Sequence, residues 1–374
     1  MSAKSLPIVP RFVIISTDIR RDLIAPLRHF TRLEITHLYR RAPYQDLVAE
    51  DWDVDLVRYD SPQQLYRLIR HARPNVIQSG EPFGIRLLPY LYSTYLAARS
   101  RNLPLVVPTL ENRPLELKYG PALAEALKVL LRPVFAYACL IIYLNQGALA
   151  NIRAVGSYEA KVQHLMYGTW GVDLEEFAPG PKRLATSVKR ILFVGRLARE
   201  KGIFDLLTAF ESVHSAFPTA QMIVIGDGPD REEIEAIIAS ALWGSSVQLL
   251  GTVKNRDVPA HFREADIFVA PSITTPKWEE QVGMTNIQAM ACGVPVVSTK
   301  SGAIPEYVPD GVAGILVPER NPEALADALL RLLRDNELRN TMGQQARAYA
   351  LQHYNAEDSV RRAEVAVLEH CLGQ

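Results

Sequence analysis

The stretch "VGRLAREKG", residues 194–202, places Arg196 and Lys201 inside a glycine-bounded turn that follows an apolar run. Two cations at a strand-to-helix turn suit a diphosphate, because a guanidinium chelates oxygens in pairs and an ammonium adds a point charge. A solvated basic loop is the plain alternative. A second concentration of chemistry lies at "WEEQVGMTNIQAMACGVPVV", residues 278–297, where Glu280 precedes a glycine and an apolar helical pattern. A helix starting near Gly283 or Met284 would aim its free N–H groups at a phosphate. Glu280, in the loop before it, could accept hydrogen bonds from sugar hydroxyls. Gln288 stands eight positions later, a little over two turns along the same face, where a polar group could reach a ribose.

Other turns offer backbone rather than side-chain chemistry. "VIGDGPDREEIEAI" brings Gly226 and Gly228 to a strand-to-helix junction, where a glycine permits close approach of a ligand. "LLGTVKNRDVPAHFREADIFVAPS" supplies a turn from Gly251 through Val253 to Lys254, whose backbone groups could pair with the edge of a planar base. In the first half, "GEPFG" carries Glu81 and "VVPTLENR" carries Glu111 and Asn112, each at an expected strand end. Glu111 either contacts a sugar or acceptor or caps the helix that would start near Pro114. His37, His164 and His261 fall on or beside core elements and read as structural.

These residues need a scaffold, and the pattern of the chain supplies one. Short β-branched runs at 12–16, 33–39, 54–59, 75–79, 103–109, 139–144 and 162–167 alternate with helical stretches. The scheme repeats at 190–195, 220–226, 246–251, 266–271, 294–299 and 313–318. Such alternation predicts right-handed βαβ units around parallel sheets. In "NPEALADALLRLLRD", Asn321 caps a helix, Pro322 takes its first position, and Leu325, Ala328, Leu329, Leu332 and Leu333 form one apolar stripe. At 374 residues the chain exceeds what one core usually serves. The expected class is α/β, with two Rossmann-like doubly wound domains facing a central cleft. The boundaries are residues 1–170 for the first domain, 171–189 for a Gly- and Pro-rich linker and 190–352 for the second domain. Residues 353–374 should form an amphipathic helix.

A composition of 48% hydrophobic and 22% charged residues is ordinary for a globular protein. Three widely spaced cysteines without C-x-x-C fit a reducing cytoplasm and no structural zinc. The N-terminus lacks the apolar core of a signal peptide. "LLRPVFAYACLIIYLN" is interrupted by Arg132 and Pro133 and is too short to span a bilayer. Residues 1–170 hold 21 Lys+Arg against 14 Asp+Glu, or +7, and residues 171–374 hold 20 against 27, or −7. Opposite domains could attract each other, or the basic half could face an anionic membrane at the inner face. No nucleic-acid partner is expected.

The motifs "GRLAREKG", "IGDGPDREEIEA", "LLGTV", "ADIFVAPS", "EQVGMTNIQAMACGVPVVST", "GAIPEYVPDGVAGILVP" and "NPEALADALLRLL" resemble, in order and spacing, the retaining sugar-nucleotide glycosyltransferases of family 4. The resemblance covers roughly residues 185–340, and it implies an acceptor-binding first domain, a nucleotide-sugar-binding second domain and a final helix, 353–374, that crosses back to the first. It implies a GT-B fold, a diphosphate held by Gly195, Arg196 and Lys201, and sugar hydroxyls held by Glu280. The backbone at Gly283, Met284 and Thr285 would meet the phosphates, with Gly226, Gly251, Val253 and Lys254 on the donor side. The family's E-x7-E motif ends here in Gln288. A neutral amide is the poorer partner for two vicinal hydroxyls, and donor affinity could fall about tenfold. The first half matches weakly: "IISTDIRRDL" lacks the family's glycine pair, leaving Arg20, Arg21 or a backbone amide as substitutes, and Pro108 stands near where a histidine is usual. A subset of the family resembles "GEPFG" and the Glu111–Asn112 pair. The resemblance further implies transfer of a hexosyl unit from a nucleoside-diphosphate sugar to a hydroxyl acceptor, without metal or cofactor. That acceptor would be a polysaccharide, a glycolipid or a small glycoside. No D-x-D motif follows an apolar run. The rivals are a nicotinamide-dependent dehydrogenase, which needs a G-x-G-x-x-G that the chain lacks, and a non-catalytic or partner-dependent sugar-nucleotide binder.

Overall fold

The computed structural model describes residues 9–42, 54–181 and 188–374. Contacts divide the chain into two compact units, Met1–Trp170 with Ala356–Gln374, and Gly171–Asn355. Part of the expected linker, residues 182–187, lies outside the described residues, as do residues 1–8 of the N-terminal stretch.

Among the described residues the first unit holds seven parallel strands: β1 (Arg11–Asp18), β2 (Glu34–Arg41), β3 (Asp55–Arg58), β4 (Val76–Gln78), β5 (Leu105–Thr109), β6 (Leu140–Tyr143) and β7 (Val162–His164). Their order is β3-β2-β1-β4-β5-β6-β7. The β-branched runs follow from burial on both faces. Val13, Ile15, Ile77, Val107 and Ile141 enter one apolar cluster, while their neighbours Phe12, Ile14, Val76, Val106, Leu140 and Ile142 enter another. A strand covered on both sides cannot alternate polar with apolar and therefore reads as a continuous hydrophobic run.

The second cluster is completed by the helix Ala356–Val367, through Val360, Ala363 and Val367. Its Glu364 is buried, and its carboxylate accepts from the Arg32 N–H at 2.6 Å and the Thr31 N–H at 2.9 Å. Just beyond it, Cys371 is disulfide-bonded to Cys139 at the foot of β6, 232 residues away in sequence. Disulfides are rare in a reducing cytoplasm, so this pair runs against the expectation drawn from cysteine spacing. Only Cys292 is a free thiol, buried and pushed up to about 12 by desolvation. Spacing could not disclose the pair, because the final helix brings its partner back to the first unit.

The second unit holds β8 (Lys189–Val194), β9 (Ala220–Ile225), β10 (Val247–Gly251), β11 (Ile267–Ala270), β12 (Val296–Thr299) and β13 (Gly314–Val317), again parallel. The order β10-β9-β8-β11-β12-β13 reverses between β8 and β11, and that of the first unit between β1 and β4. Loops leaving the carboxyl ends of strands on either side of such a reversal diverge and leave a crevice between them. In the second unit those loops carry Arg196 and Lys201 from β8 and Glu280 from β11. The helix Pro322–Arg334, capped by the Asn321 side chain accepting from Ala324 N–H, buries its leucine stripe on this sheet.

The apolar stretch at 129–144 splits into the end of the helix Pro121–Tyr137, which contains Pro133, and strand β6. Among the described residues no helix is long and apolar enough to cross a membrane.

Candidate functional site

The β8 loop is held by its backbone. Gly195 N–H donates to Ile225 O at 3.0 Å and Leu197 N–H to Asp227 O at 3.0 Å, tying it to the end of β9. Gly226, at φ 137°, sits so close that a Cβ there would lie 1.9 Å from the Gly195 carbonyl oxygen. Gly226 N–H in turn donates to Gly251 O at 2.8 Å. The carboxyl ends of β8, β9 and β10 thus meet in a run of backbone contacts. On the other side, Gly202 (φ 70°) packs against β11's loop, where a Cβ would fall 1.8 Å from the Pro271 carbonyl oxygen.

Across the reversal, Lys201 Nζ donates to Glu280 Oε2 at 2.7 Å, and the buried Ser272 Oγ donates to the same oxygen at 3.0 Å. Lys201 also lies 4.5 Å from the ring centroid of Trp278, a cation–π contact that fixes its stem. The pair is largely sheltered, with the Lys201 side chain 26% exposed. Arg196 is more open, 60% exposed, and pairs with Glu200 four residues on. The cations read from the sequence are therefore both partnered by acids. An anion entering here exchanges places with a carboxylate rather than meeting bare charge, and a released Glu280 is then available for hydroxyl donors.

Gly283 (φ 76°) is the N-cap of the helix Met284–Ala291, with Glu280 three residues ahead of it in the loop, as the spacing predicts. Met284 and Thr285 form its first turn, half-buried. Gln288 is half-buried on this helix, and its side chain has no hydrogen-bond partner among the described residues. Val253 and Lys254 follow Gly251 at the end of the outermost strand β10, Lys254 exposed. Among the described residues no three His, Cys, Asp or Glu side chains converge as metal ligands.

Glu81, Glu111 and Asn112 lie in the first unit, in the loops that follow β4 and β5. Glu81 accepts from Leu110 N–H at 2.6 Å and Phe83 N–H at 3.3 Å, joining the two loops. The Glu111 carboxylate pairs with Lys118 and accepts from Arg113 N–H at 3.1 Å. It does not cap the helix Leu115–Tyr119, which has no side-chain cap. Asn151 donates to the carbonyls of Glu111 and Arg113, and Asn112 is buried beside them. His37 is buried and held at a pKa of about 3 by desolvation, bonding Ser16 Oγ at 2.8 Å. His164 stacks on Tyr143, and His261 is half-buried on the helix Val258–Glu264, consistent with structural roles.

Burial pushes the Glu81 carboxyl from the ordinary 4.5 up to about 8, with the Glu111 charge adding to the shift. A folded-state value above the unfolded one means that the folded form holds the extra proton. Its stabilising contribution is complete below about pH 4.5 and is lost as pH rises through about 8. Glu81→Gln removes the titrating charge and should flatten that decline. Urea unfolding from pH 5 to pH 9 should show the wild type losing roughly 2–4 kcal/mol more than the variant. Parallel pH profiles for the two proteins would contradict the assignment.

Sequence reasoning missed Glu200, Ser272 and Trp278. Glu200 was not legible as a partner, because residues 196–198 are not helical and the i,i+4 rule of helices does not reach it. Ser272 and Trp278 carried no signal beyond lying in quoted segments, because their roles come from the β8–β11 adjacency.

Residues 175–349 match the family "Glycosyl transferases group 1", a segment lying within the second unit. The chain is 34% identical over 197 residues to a D-inositol 3-phosphate glycosyltransferase of Corynebacterium jeikeium, covering 48% of this chain and 46% of that one. It is 31% identical over 155 residues to an alpha-monoglucosyldiacylglycerol synthase of Acholeplasma laidlawii, covering 41% and 37%. The matches thus span less than half of each of these relatives. Among solved structures it resembles Anabaena Alr3699/HepE in complex with UDP and glucose, at TM-score 0.75 and 18% identity over 96% of this chain and 99% of the other. That likeness shows the fold, two Rossmann-like parallel-sheet α/β units of the GT-B class.

Proposed function

We propose that this protein transfers a hexosyl unit from a nucleoside-diphosphate sugar to a hydroxyl acceptor, with retention at the anomeric carbon and without a metal. The observation that carries the reading is the convergence of Lys201, Ser272 and Glu280, with Arg196 beside them, where the second sheet reverses its order. In this reading the pyrophosphate takes the place of Glu280 at Lys201 and of Glu200 at Arg196. The first N–H groups of the helix Met284–Ala291 add partial positive charge. As the sugar–phosphate bond breaks, charge grows on the leaving diphosphate, and fixed cations stabilise that state more than the ground state. Glu280 accepts from sugar hydroxyls. Gly195, Gly226 and Gly251, with Val253 and Lys254, line the nucleotide side, and Gln288 faces the ribose. A leaving phosphate oxygen takes the acceptor's proton. Glu81, Glu111 and Asn112 serve the acceptor or the sugar from the first unit.

The direct test is release of nucleoside diphosphate from uridine, guanosine and adenosine diphosphate glucose and mannose, with thermal shift by the same compounds in parallel. Turnover of at least one donor is expected. Binding without turnover of any of them would favour the second reading, a non-catalytic or partner-dependent sugar-nucleotide binder, for which Gln288 in place of a carboxylate is the supporting feature.

Contact with an anionic membrane belongs to the same proposal. Leu123, Val129 and Leu130 on the helix Pro121–Tyr137, Leu96 on the helix Leu88–Ser100 and Leu117 nearby are exposed, and Tyr92 Oη bonds Leu130 O at 2.6 Å, joining the first two helices. Residues 86–137 carry seven Lys+Arg against three Glu. Apolar side chains with surplus basic charge suit an anionic lipid surface. The named relatives include a diacylglycerol-glycoside synthase, which supports a glycolipid acceptor. Co-sedimentation with phosphatidylglycerol vesicles should fall with added salt and be lost in Leu123→Glu/Leu130→Glu. Equal recovery with neutral and anionic vesicles would contradict it.

A further inference from the structure

The segment of residues 271–283 is a strap that leaves β11, carries Ser272, Trp278 and Glu280, and ends at the cap of the helix Met284–Ala291. Its base is gripped by residues from beyond β13, two strands away. Both Glu319 carboxylate oxygens are used on one residue: Oε2 accepts the Thr274 N–H at 2.6 Å and Oε1 accepts the Thr274 hydroxyl at 2.7 Å. The next residue, Arg320, donates through Nη2 to the Thr274 carbonyl at 2.7 Å. Arg320 does this from φ 55°, a left-handed conformation that a non-glycine residue adopts only where its surroundings impose it. Thr274 Oγ also lies 3.1 Å from the Oγ of the buried Ser301. One threonine thus has its N–H, its carbonyl and its hydroxyl all held.

From that anchor the strap proceeds through a tight turn, with Thr275 N–H bonded to Trp278 O at 2.8 Å and Trp278 N–H to Thr275 Oγ at 3.1 Å. The turn sets Trp278 under Lys201 and Glu280 at Lys201 Nζ. The Glu280 carbonyl accepts from Ala303 N–H at 2.8 Å. The cationic loop after β8 has its own ties, to Ile225 and Asp227 of the neighbouring strand end, and meets the strap where Ile273 N–H donates to Glu200 O at 2.9 Å. Thr274 therefore bears on Glu280 through the strap, whereas the loop of Arg196 and Lys201 keeps ties of its own to the end of β9.

We propose that Glu319 and Thr274 are positioning residues for sugar recognition, fixing the strap so that Glu280 meets the donor's sugar hydroxyls. The inference rests on the reading of Glu280 as the sugar-contacting acid.

The test compares calorimetric affinity for UDP-glucose with that for UDP, or the corresponding pair for the base that the donor screen selects. In wild type the sugar should add affinity, and Glu280→Gln should remove that increment while leaving UDP binding in place. Glu319→Ala and Thr274→Val should lower the sugar-to-diphosphate affinity ratio at least about fivefold, with UDP affinity changed less than about twofold. Thr274→Ser, which keeps the hydroxyl, should restore the wild-type ratio. A purely structural role would lower the melting temperature or both affinities together and leave the ratio alone, and that result would overturn the proposal. If Glu319→Ala does not fold, the Thr274→Val and Thr274→Ser pair decides alone. A ratio unaffected by Glu280→Gln would instead sink the reading of Glu280, and the inference with it. A ratio lost in Glu280→Gln but kept in Glu319→Ala and Thr274→Val would sink the inference alone.

Discussion

Lys201→Ala is expected to lower kcat/KM for the nucleotide-sugar donor by about a hundred- to a thousandfold, from two causes that act together. The first is loss of a charge-assisted contact to the diphosphate, roughly 1.5–3 kcal/mol. The second is what remains behind. Glu280 would keep the Ser272 hydroxyl but lose its ammonium partner at 2.7 Å, leaving a sheltered carboxylate facing an incoming anion. The effect should fall more on kcat than on KM, because charge on the leaving phosphate rises as the bond to the sugar breaks. Steady-state kinetics across donor concentration would show this. A drop confined to KM would mean that Lys201 binds ground state and transition state alike.

Gly202→Ala should have the largest effect on stability. The new Cβ would lie 1.8 Å from the Pro271 carbonyl oxygen, and the position sits at φ 70°. Neither the strand-end carbonyl nor the residue at the start of the helix Ile203–Ala216 can rotate away as a flexible side chain could. Overpacking of this kind costs typically 1–3 kcal/mol, and the left-handed backbone adds about 1. A loss of roughly 2–4 kcal/mol in urea unfolding is the expected outcome. Activity should fall as well, since relief of the clash pushes the β8 and β11 loops apart and stretches the Lys201–Glu280 contact. A variant as stable as the wild type would show that the two loops are not in this register.

The fold was readable because its strands are covered on both faces. Runs such as "FVII" and "LPLVVP" cannot be mistaken for amphipathic surface, and the glycines and prolines between them mark where each strand ends. The candidate residue types were readable for a related reason: the loops at the carboxyl ends of parallel strands follow immediately after the apolar run. Arg196, Lys201 and Glu280 each lie within about ten residues of a strand end. What was not readable is whatever depends on strand order. Ser272 and Trp278 acquire meaning only because β11 lies beside β8, although 71 residues separate Lys201 from Ser272 in sequence. Glu319 reaches Thr274 across 45 residues, and Cys139 reaches Cys371 across 232. The acids paired with both cations were hidden for a further reason. A motif lists residue types, whereas pairing depends on side-chain direction, and Glu200 and Glu280 point back at the residues that a diphosphate would otherwise meet alone.

The account's central claim is that Arg196 and Lys201 hold one pyrophosphate at the reversal point of the second sheet. Calorimetric titration of nucleoside diphosphate into the double charge-reversal variant Arg196→Glu/Lys201→Glu, beside wild type, addresses it without depending on any acceptor. Two charge-assisted contacts removed and replaced by repulsion should weaken binding by at least about a hundredfold, with the folded melting transition retained. Affinity unchanged within about twofold would contradict the claim, because the diphosphate would then be bound elsewhere on the molecule.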